Sequence, residues 1–313
     1  MDKLTGVALI GPTGIGKTAL SLEVAERFGG EIVSVDSMQV FRFMDVGTAK
    51  ATLDERARVV HHLINIAFPD EAYNVARFAA DAARAMTVIR ERGRLPLLVG
   101  GTGLYLKGLL KGLFAIQEDP GLRRVLKARA EAEGLASLHA ELARCDPEAA
   151  ARVHPRDSHR ILRGLEVFLA TGKPWSAHLA DQERADGGQK VLKIGLACDR
   201  EDLYRRIDRR VDFMVEQGLQ GEVENLLALG YDGELKPMQA IGYWHMINYL
   251  DGTWSREESL HLLARDTRRY AKRQLTWFRR DPGVAWFHPG QHQEIFAAID
   301  RFLANPQREG TRT

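Results

Sequence analysis

Over the first hundred residues, short apolar runs alternate with amphipathic stretches. Val7-Ala8-Leu9-Ile10 stops at a Gly/Pro/Gly loop, and Thr18 to Phe28 then has helical periodicity, so the pattern predicts a strand–loop–helix unit. A second strand is predicted over Glu31 to Val35, ending at Asp36-Ser37, and a third over His62 to Ile66. Val75 to Arg92 has the period of an amphipathic helix ended by Gly93. Leu95 to Val99 reads as a buried strand running into Gly100-Gly101-Thr102-Gly103 and a further helix. Strands alternating with helices predict an α/β fold, a parallel sheet flanked by helices.

The texture changes near Asp119. Segments 120–134, 135–144, 146–153 and 157–171 are rich in Ala, Leu, Arg and Glu with few strand formers, and each predicts a helix. Asp181 to Gln189 is polar and contains Gly187-Gly188, as a linker would. Val191 to Ala197 returns to a strand pattern, and one long helix is predicted from about Asp199 to Gly230. After Gly252 a strongly basic helix is predicted to about Arg280, with a last strand over Val284 to Phe287. The economical organisation is an all-helical domain, residues 118–190, inserted into one α/β core built from residues 1–117 and 191–313. The sequence contains no internal repeat.

Composition narrows this little. The 313 residues are 45% hydrophobic and 27% charged, ordinary for a soluble globular protein. A net charge of +2 means that a polyanionic partner must be met by local basic patches. Cys145 and Cys198 are the two cysteines and form no disulfide framework or metal spacing, which fits a reducing compartment. No apolar run approaches the roughly twenty residues of a membrane span, and a strand beginning so near Met1 leaves no room for a signal peptide. The expectation is a cytoplasmic α/β enzyme with no membrane partner and a monomer as the default.

Gly11-Pro12-Thr13-Gly14-Ile15-Gly16-Lys17-Thr18 matches the phosphate-loop pattern in full, after a strand and opening a helix as the physics requires. Backbone N–H groups of such a loop wrap two phosphates at a helix N-terminus. Lys17 is expected to reach across them, and the Thr18 hydroxyl to hold Mg²⁺. Phosphate-transferring proteins of this kind also carry an acid after a buried strand, but Leu95 to Val99 ends in Gly100-Gly101-Thr102. The acid present is Asp36, at the end of the second strand, where the sheet's carboxyl edge aims it at a bound ligand. Asp36 reads equally as a helix cap. Arg206 and Arg210 lie one helical turn apart and read either as phosphate ligands or as a solvated face pairing with Asp208 and Asp212. Residues 265–280 carry seven basic side chains against Asp266, with Tyr270, Trp277 and Phe278 interleaved. Such a helix reads equally as a solvated charged face or as an RNA-binding one, basic groups tracking phosphates and rings stacking on unpaired bases.

Eight ordered strings together resemble the tRNA dimethylallyltransferase family over nearly the whole chain. They are the phosphate loop; Asp36-Ser37-Met38-Gln39; Gly47-Thr48-Ala49-Lys50; and Leu98-Val99-Gly100-Gly101-Thr102-Gly103-Leu104-Tyr105. His159-Arg160-Ile161-Leu162-Arg163 with Leu165-Glu166-Val167, Arg206-Ile207-Asp208 with Arg210-Val211, Ala240-Ile241-Gly242-Tyr243, and Lys272-Arg273-Gln274-Leu275-Thr276-Trp277-Phe278-Arg279 complete them.

The resemblance implies transfer of a dimethylallyl group from dimethylallyl diphosphate to the N6 amine of the adenine 3′-adjacent to the anticodon. It implies Asp36 as general base, Thr102 as the hydroxyl holding the target amine and Arg210 as a diphosphate contact, joined by Arg206, the phosphate loop and Mg²⁺. It implies a tRNA anticodon stem-loop gripped by residues 36–39, 159–163, 239–244 (Gln239 to Trp244) and 272–279, with Arg123 as a further contact. The chain departs from the family at Phe41, where tyrosine is usual, and at Gln239 and Trp244, which often carry charge. No zinc-finger spacing follows residue 280, as in bacterial-type members, and His288 and His292 lack a third ligand. Two other readings stand beside this one. One is prenylation of a free adenine nucleotide, and the other is a phosphate-loop kinase or an NTP-driven RNA-binding switch.

Overall fold

The computed structural model describes residues 5–112, 119–184 and 190–304. The predicted Gly187-Gly188 linker lies outside the described residues. Two compact units divide the chain, one of Met1–Leu109 with Gly188–Thr313 and one of Leu110–Gly187.

The first unit holds a parallel sheet of six strands: β1 (Thr5–Ile10), β2 (Gly30–Val35), β3 (His61–His62), β4 (Leu95–Gly100), β5 (Lys190–Leu196) and β6 (Val284–Phe287). Their spatial order is β3-β2-β4-β1-β5-β6, and every pairing is parallel. β1 and β2 are buried almost throughout, as strands covered on both faces must be. Helices α1 (Lys17–Phe28), α2 (Leu53–Arg58), α3 (Val75–Glu91) and α4 (Gly103–Lys111) follow the first strands.

The second unit contains α5 (Pro120–Glu133), α6 (Leu135–Cys145), α7 (Pro147–Arg152), α8 (Ser158–Thr171) and α9 (Trp175–Arg184). Its core gathers Leu126, Leu138, Leu142, Ile161 and Leu165. Buried Asp146 caps α7 through Ala149 N–H at 3.0 Å, and its carboxylate also takes the Ser176 N–H and hydroxyl, at 2.8 and 2.6 Å. One carboxylate thus ties α9 to the α6–α7 corner.

The first unit resumes with α10 (Arg200–Glu216), α11 (Leu219–Ala228), α12 (Tyr243–Leu250), α13 (Arg256–Phe278) and α14 (His292–Ala304). The single helix expected from Asp199 to Gly230 is two, because Gly218 sits at φ 90° between α10 and α11, a left-handed turn that glycine alone adopts freely. The third strand, expected over 62–66, is only His61–His62. Leu63 and Asn65 take positive φ and turn the chain, so Ile66 and Ala67 bond Val40 instead. The linker expected from Asp181 begins inside α9, and α13 starts at Arg256, where the Ser255 side chain accepts from Glu258 N–H at 3.1 Å. Four described helices, α2, α9, α12 and α14, are absent from the sequence expectation. No described helix is long and apolar enough to cross a membrane.

Two apolar cores matter for the site. One packs α1, α14 and the start of α10 on the sheet through Leu9, Ile194, Ile207 and Ile299. The other joins the loop after β2 to α10–α13 through Phe41, Met44, Val211, Met214, Tyr243 and Leu263.

Candidate active site

The carboxyl ends of β1, β2 and β4 converge, which is where open α/β sheets bind ligands. The phosphate loop leaves β1 and closes on α1, with Gly14 at φ 78° and Gly16 at φ 101°. A Cβ on Gly14 would come within 2.9 Å of Ile207, so the loop depends on glycine both for its turn and for α10 packing close. Lys17 Nζ folds back to donate to Gly11 O at 3.0 Å and Pro12 O at 2.7 Å. Burial, followed by the Arg210 guanidinium, lowers its ammonium to about 7, against the opposing pull of Asp36. Arg210 is itself held below its ordinary value by burial, with Asp36 opposing.

Diphosphate bound here would restore the charge of Lys17. With Lys17 held near 7 in the free protein, binding above that pH is expected to take up a proton and to weaken as pH rises. Calorimetric titration with inorganic diphosphate at pH 8, in buffers of different ionisation enthalpy, is expected to show uptake larger by about one proton than in Lys17→Met. Equal uptake in the two proteins would mean that Lys17 is already charged in the free cleft.

Asp36 follows β2. Its Oδ1 accepts from Met38 N–H at 2.8 Å and Gln39 N–H at 3.3 Å, so it caps a turn rather than a helix, and no described residue bonds Oδ2. Thr102 Oγ1 accepts from Ser37 N–H at 3.2 Å. Buried Gln274 joins the two loops: its Oε1 accepts from Thr13 N–H at 2.8 Å and its Nε2 donates to Gly101 O at 3.0 Å. A Cβ on Gly101 would lie 2.1 Å from that amide nitrogen, and one on Gly103 would lie 2.1 Å from the Trp277 ring. The glycines after β4 therefore admit α13 rather than a ligand. Tyr270 bonds Thr102 and Gln274, and burial together with Asp36 pushes its phenol up to about 12.

Lys17, Asp36, Arg210, Tyr270 and Gln274 line one cleft of about 560 Å³, and Thr102 stands just outside that lining, joined to it through Ser37. The cleft lining includes the polar group Lys17, Thr18, Arg206 and Arg210 and an apolar wall of Val211, Met214, Ile241, Tyr243 and Leu263, which pack in one cluster. Among the described residues, Asp36 is the one carboxylate in its lining.

The sequence profile of IPP transferase matches residues 39–281, and that of isopentenyl transferase matches residues 5–63. A tRNA dimethylallyltransferase of Geobacter metallireducens is 48% identical over 303 residues, covering 96% of this chain and 98% of that protein. One of Desulfosudis oleivorans is 50% identical over 299 residues, 95% of each. The chain belongs to the tRNA dimethylallyltransferase family. The tRNA isopentenylpyrophosphate transferase structure of Bacillus halodurans aligns with a TM-score of 0.70 at 43% identity, covering 97% of each chain. A eukaryotic dimethylallyltransferase acting on tRNA aligns with a TM-score of 0.82 at 29% identity, over 97% of this chain and 80% of that one.

Within this member of the family, the strings expected to touch tRNA divide by burial. His159, Arg160, Gln239, Trp244, Lys272, Arg273, Thr276, Trp277 and Arg279 are exposed. Ile161 and Leu162 lie in the core of the helical unit, Tyr243 is fully buried, and Gln274 and Phe278 are buried. The side chains of Ile161, Leu162 and Phe278 pack inward, whereas Tyr243 and Gln274, though buried, border the cleft. Gln239, Ala240 and Ile241 line the cleft with Ser37, Met38 and Gln39, and Leu275 is half-buried on the sheet core. Arg163 and Arg123 both face buried Glu166, at 3.1 and 3.6 Å. Arg206 reaches Ile15 O at 3.5 Å, which favours the phosphate reading over the solvated face, although Asp208 does pair with a base, Arg268 of α13. Elsewhere, His292 Nδ1 pairs with Glu23 at 2.7 Å, and His288 accepts from Gly290 N–H.

Sequence reasoning missed Met214, Leu263 and Glu222, and treated Tyr270 only as a stacking ring. A signal existed for α13, since Leu263, Thr267, Tyr270 and Gln274 recur at helical spacing and all face the cleft. Nothing local marks Glu222. For a divalent cation, the described residues contain no cluster of three or more His, Cys, Asp or Glu. The exposed Thr18 hydroxyl at the cleft suits magnesium, which takes few protein ligands and is carried largely by phosphate and water.

Proposed function

We propose that this protein transfers the dimethylallyl group of dimethylallyl diphosphate to the N6 amine of the adenine 3′-adjacent to the anticodon of tRNA, releasing diphosphate. The observation that carries this reading is one cleft joining a phosphate loop, an apolar wall and a single carboxylate. The exocyclic amine is a poor nucleophile because its lone pair is delocalised into the ring. Asp36 Oδ2 takes its proton as the C–N bond forms, while Oδ1 keeps the 36–39 turn in place. Negative charge grows on the departing diphosphate, where Lys17, Arg206, Arg210 and the loop N–H groups stabilise it. Mg²⁺ at Thr18 would add charge neutralisation there. Thr102 and Tyr270 border Asp36 and hold the amine.

The target base is unpaired in its loop, so turning it into the cleft costs less than extruding a paired one. Lys272 and Arg273 on α13 and Arg279 at its C-cap, together with Arg123, Arg160 and Arg163 of the helical unit, supply phosphate contacts. Trp277 and Trp244 offer exposed rings for stacking. We take the protein to act as a cytoplasmic monomer. The kinase-or-switch alternative lacks support, because β4 ends in glycine and no second acid among the described residues lines the cleft.

The test is label transfer from radioactive dimethylallyl diphosphate, with Mg²⁺, to three acceptors. They are an anticodon stem-loop with adenine 3′ of the anticodon, the same loop with guanine there, and AMP. Label is expected on the adenine loop alone. Label on AMP would make the chain a nucleotide prenyltransferase, and ATP consumption with no acceptor labelled would restore the kinase-or-switch reading.

A further inference from the structure

Glu222 of α11 lines no part of the cleft, yet it organises one wall. Its Oε2 accepts from Asp45 N–H at 2.8 Å and Val46 N–H at 2.7 Å, and its Oε1 from Gly47 N–H at 2.9 Å and the Tyr243 hydroxyl at 2.6 Å. Four donors converging on one carboxylate spend its hydrogen-bonding capacity on a single turn and a single ring. That ring fills the space beside Gly47, where a Cβ would come within 2.6 Å of it. Gln39 Nε2, in the string that begins with Asp36, donates to Thr48 O at 3.3 Å, joining the same turn to the catalytic segment. Lys50 anchors the far side through Phe41 O at 2.7 Å and Asn65 Oδ1 at 2.6 Å. Gly47, Thr48, Ala49 and Tyr243 all line the cleft, alongside Val211, Met214 and Leu263.

We propose that Glu222, by locking the 45–47 turn against the Tyr243 ring, sets the size of the allylic group that the apolar end of the cleft accepts. The inference rests on the prenyl-transfer reading above. A fully buried tyrosine held at its hydroxyl makes a fixed wall, and a fixed apolar wall discriminates by volume: each methylene too many or too few changes the rate by about 10- to 200-fold. Without the lock, the turn and ring can yield, and a longer allylic chain can enter. Glu222 is therefore a positioning residue that acts through Tyr243 and Gly47.

The decisive variant is Glu222→Gln. Its amide nitrogen can still meet the tyrosine hydroxyl, which can turn to accept, but it cannot accept from Gly47 N–H, so the turn loses a bond while side-chain volume is kept. Tyr243→Phe keeps the ring and removes only the hydroxyl. For each protein, kcat/KM on the adenine stem-loop is measured with dimethylallyl and with geranyl diphosphate, together with inorganic diphosphate affinity and a thermal melt.

Glu222→Gln is expected to narrow the preference for the five-carbon donor by about tenfold or more, to raise KM for that donor more than it lowers kcat, and to leave inorganic diphosphate affinity within about twofold. Tyr243→Phe is expected to shift the preference in the same direction by less. An unchanged donor ratio in folded Glu222→Gln, or equal losses with both donors, would overturn the assignment and reduce Glu222 to scaffolding. No transfer by the unaltered chain would overturn the proposed function itself, and this inference with it.

Discussion

Asp36→Asn is expected to lower kcat for dimethylallyl transfer by about two to four powers of ten while leaving stem-loop binding within about twofold. The asparagine keeps the oxygen that accepts from Met38 and Gln39 N–H and loses the charge that takes the proton. Asp36→Ala removes both. Its turnover is expected to fall as far, and its stem-loop affinity to weaken severalfold as well, because an uncapped turn costs about 1 kcal/mol and Ser37 to Gln39 line the cleft. Single-turnover rates and equilibrium binding on both variants separate the two roles of the side chain. Near-normal turnover in Asp36→Asn would remove the general-base assignment, whereas equal binding by both variants would show that the turn needs no cap.

Arg210→Ala carries the second large effect. The guanidinium is half-buried near Asp36 and Lys17 and, on the proposed reading, faces the departing diphosphate. Removing one preorganised group of this kind costs about two to three powers of ten in kcat. The substitution also takes away the second of the two causes that hold Lys17 near 7. Lys17 must be charged to act, so kcat/KM falls as pH rises through its value in the free enzyme, and in Arg210→Ala that alkaline limb is expected to move upward. A large loss with no movement of the limb would separate Arg210 from Lys17. A kcat unchanged within about threefold would make Arg210 a core ion, not a diphosphate ligand.

The strands of the sheet are legible because a strand covered on both faces is mostly apolar: β1 and β4 are apolar runs, and β2 is one apart from buried Glu31 and Ser34. β3 is shorter than its apolar pattern predicts because its end depends on positive φ at Leu63 and Asn65; asparagine favours such a turn, but the leucine before it does not mark one. The division of α10 from α11 turned on one glycine whose left-handed conformation no periodicity shows. α14 buries Ile295, Phe296, Ile299 and Phe302, a stripe at helical spacing that is legible in the sequence.

Local chemistry was within reach of the sequence by itself. A phosphate loop is eight consecutive residues that bind through their own backbone, so Gly11 to Thr18 announces a phosphate site wherever the chain runs. The position of Asp36 after β2 follows in the same way from the sheet's polarity. Partnership across the chain was decided by the tertiary structure. Gln274 meets Thr13 from 261 residues away, and Glu222 meets Gly47 from 175 residues away. A hydrogen bond depends on where two atoms lie in space, and that spacing is set by how α10 to α13 pack on the sheet and on the loop after β2. The same packing turned Tyr243, Gln274 and Phe278 inward within strings that, read along the chain, promised contacts with RNA.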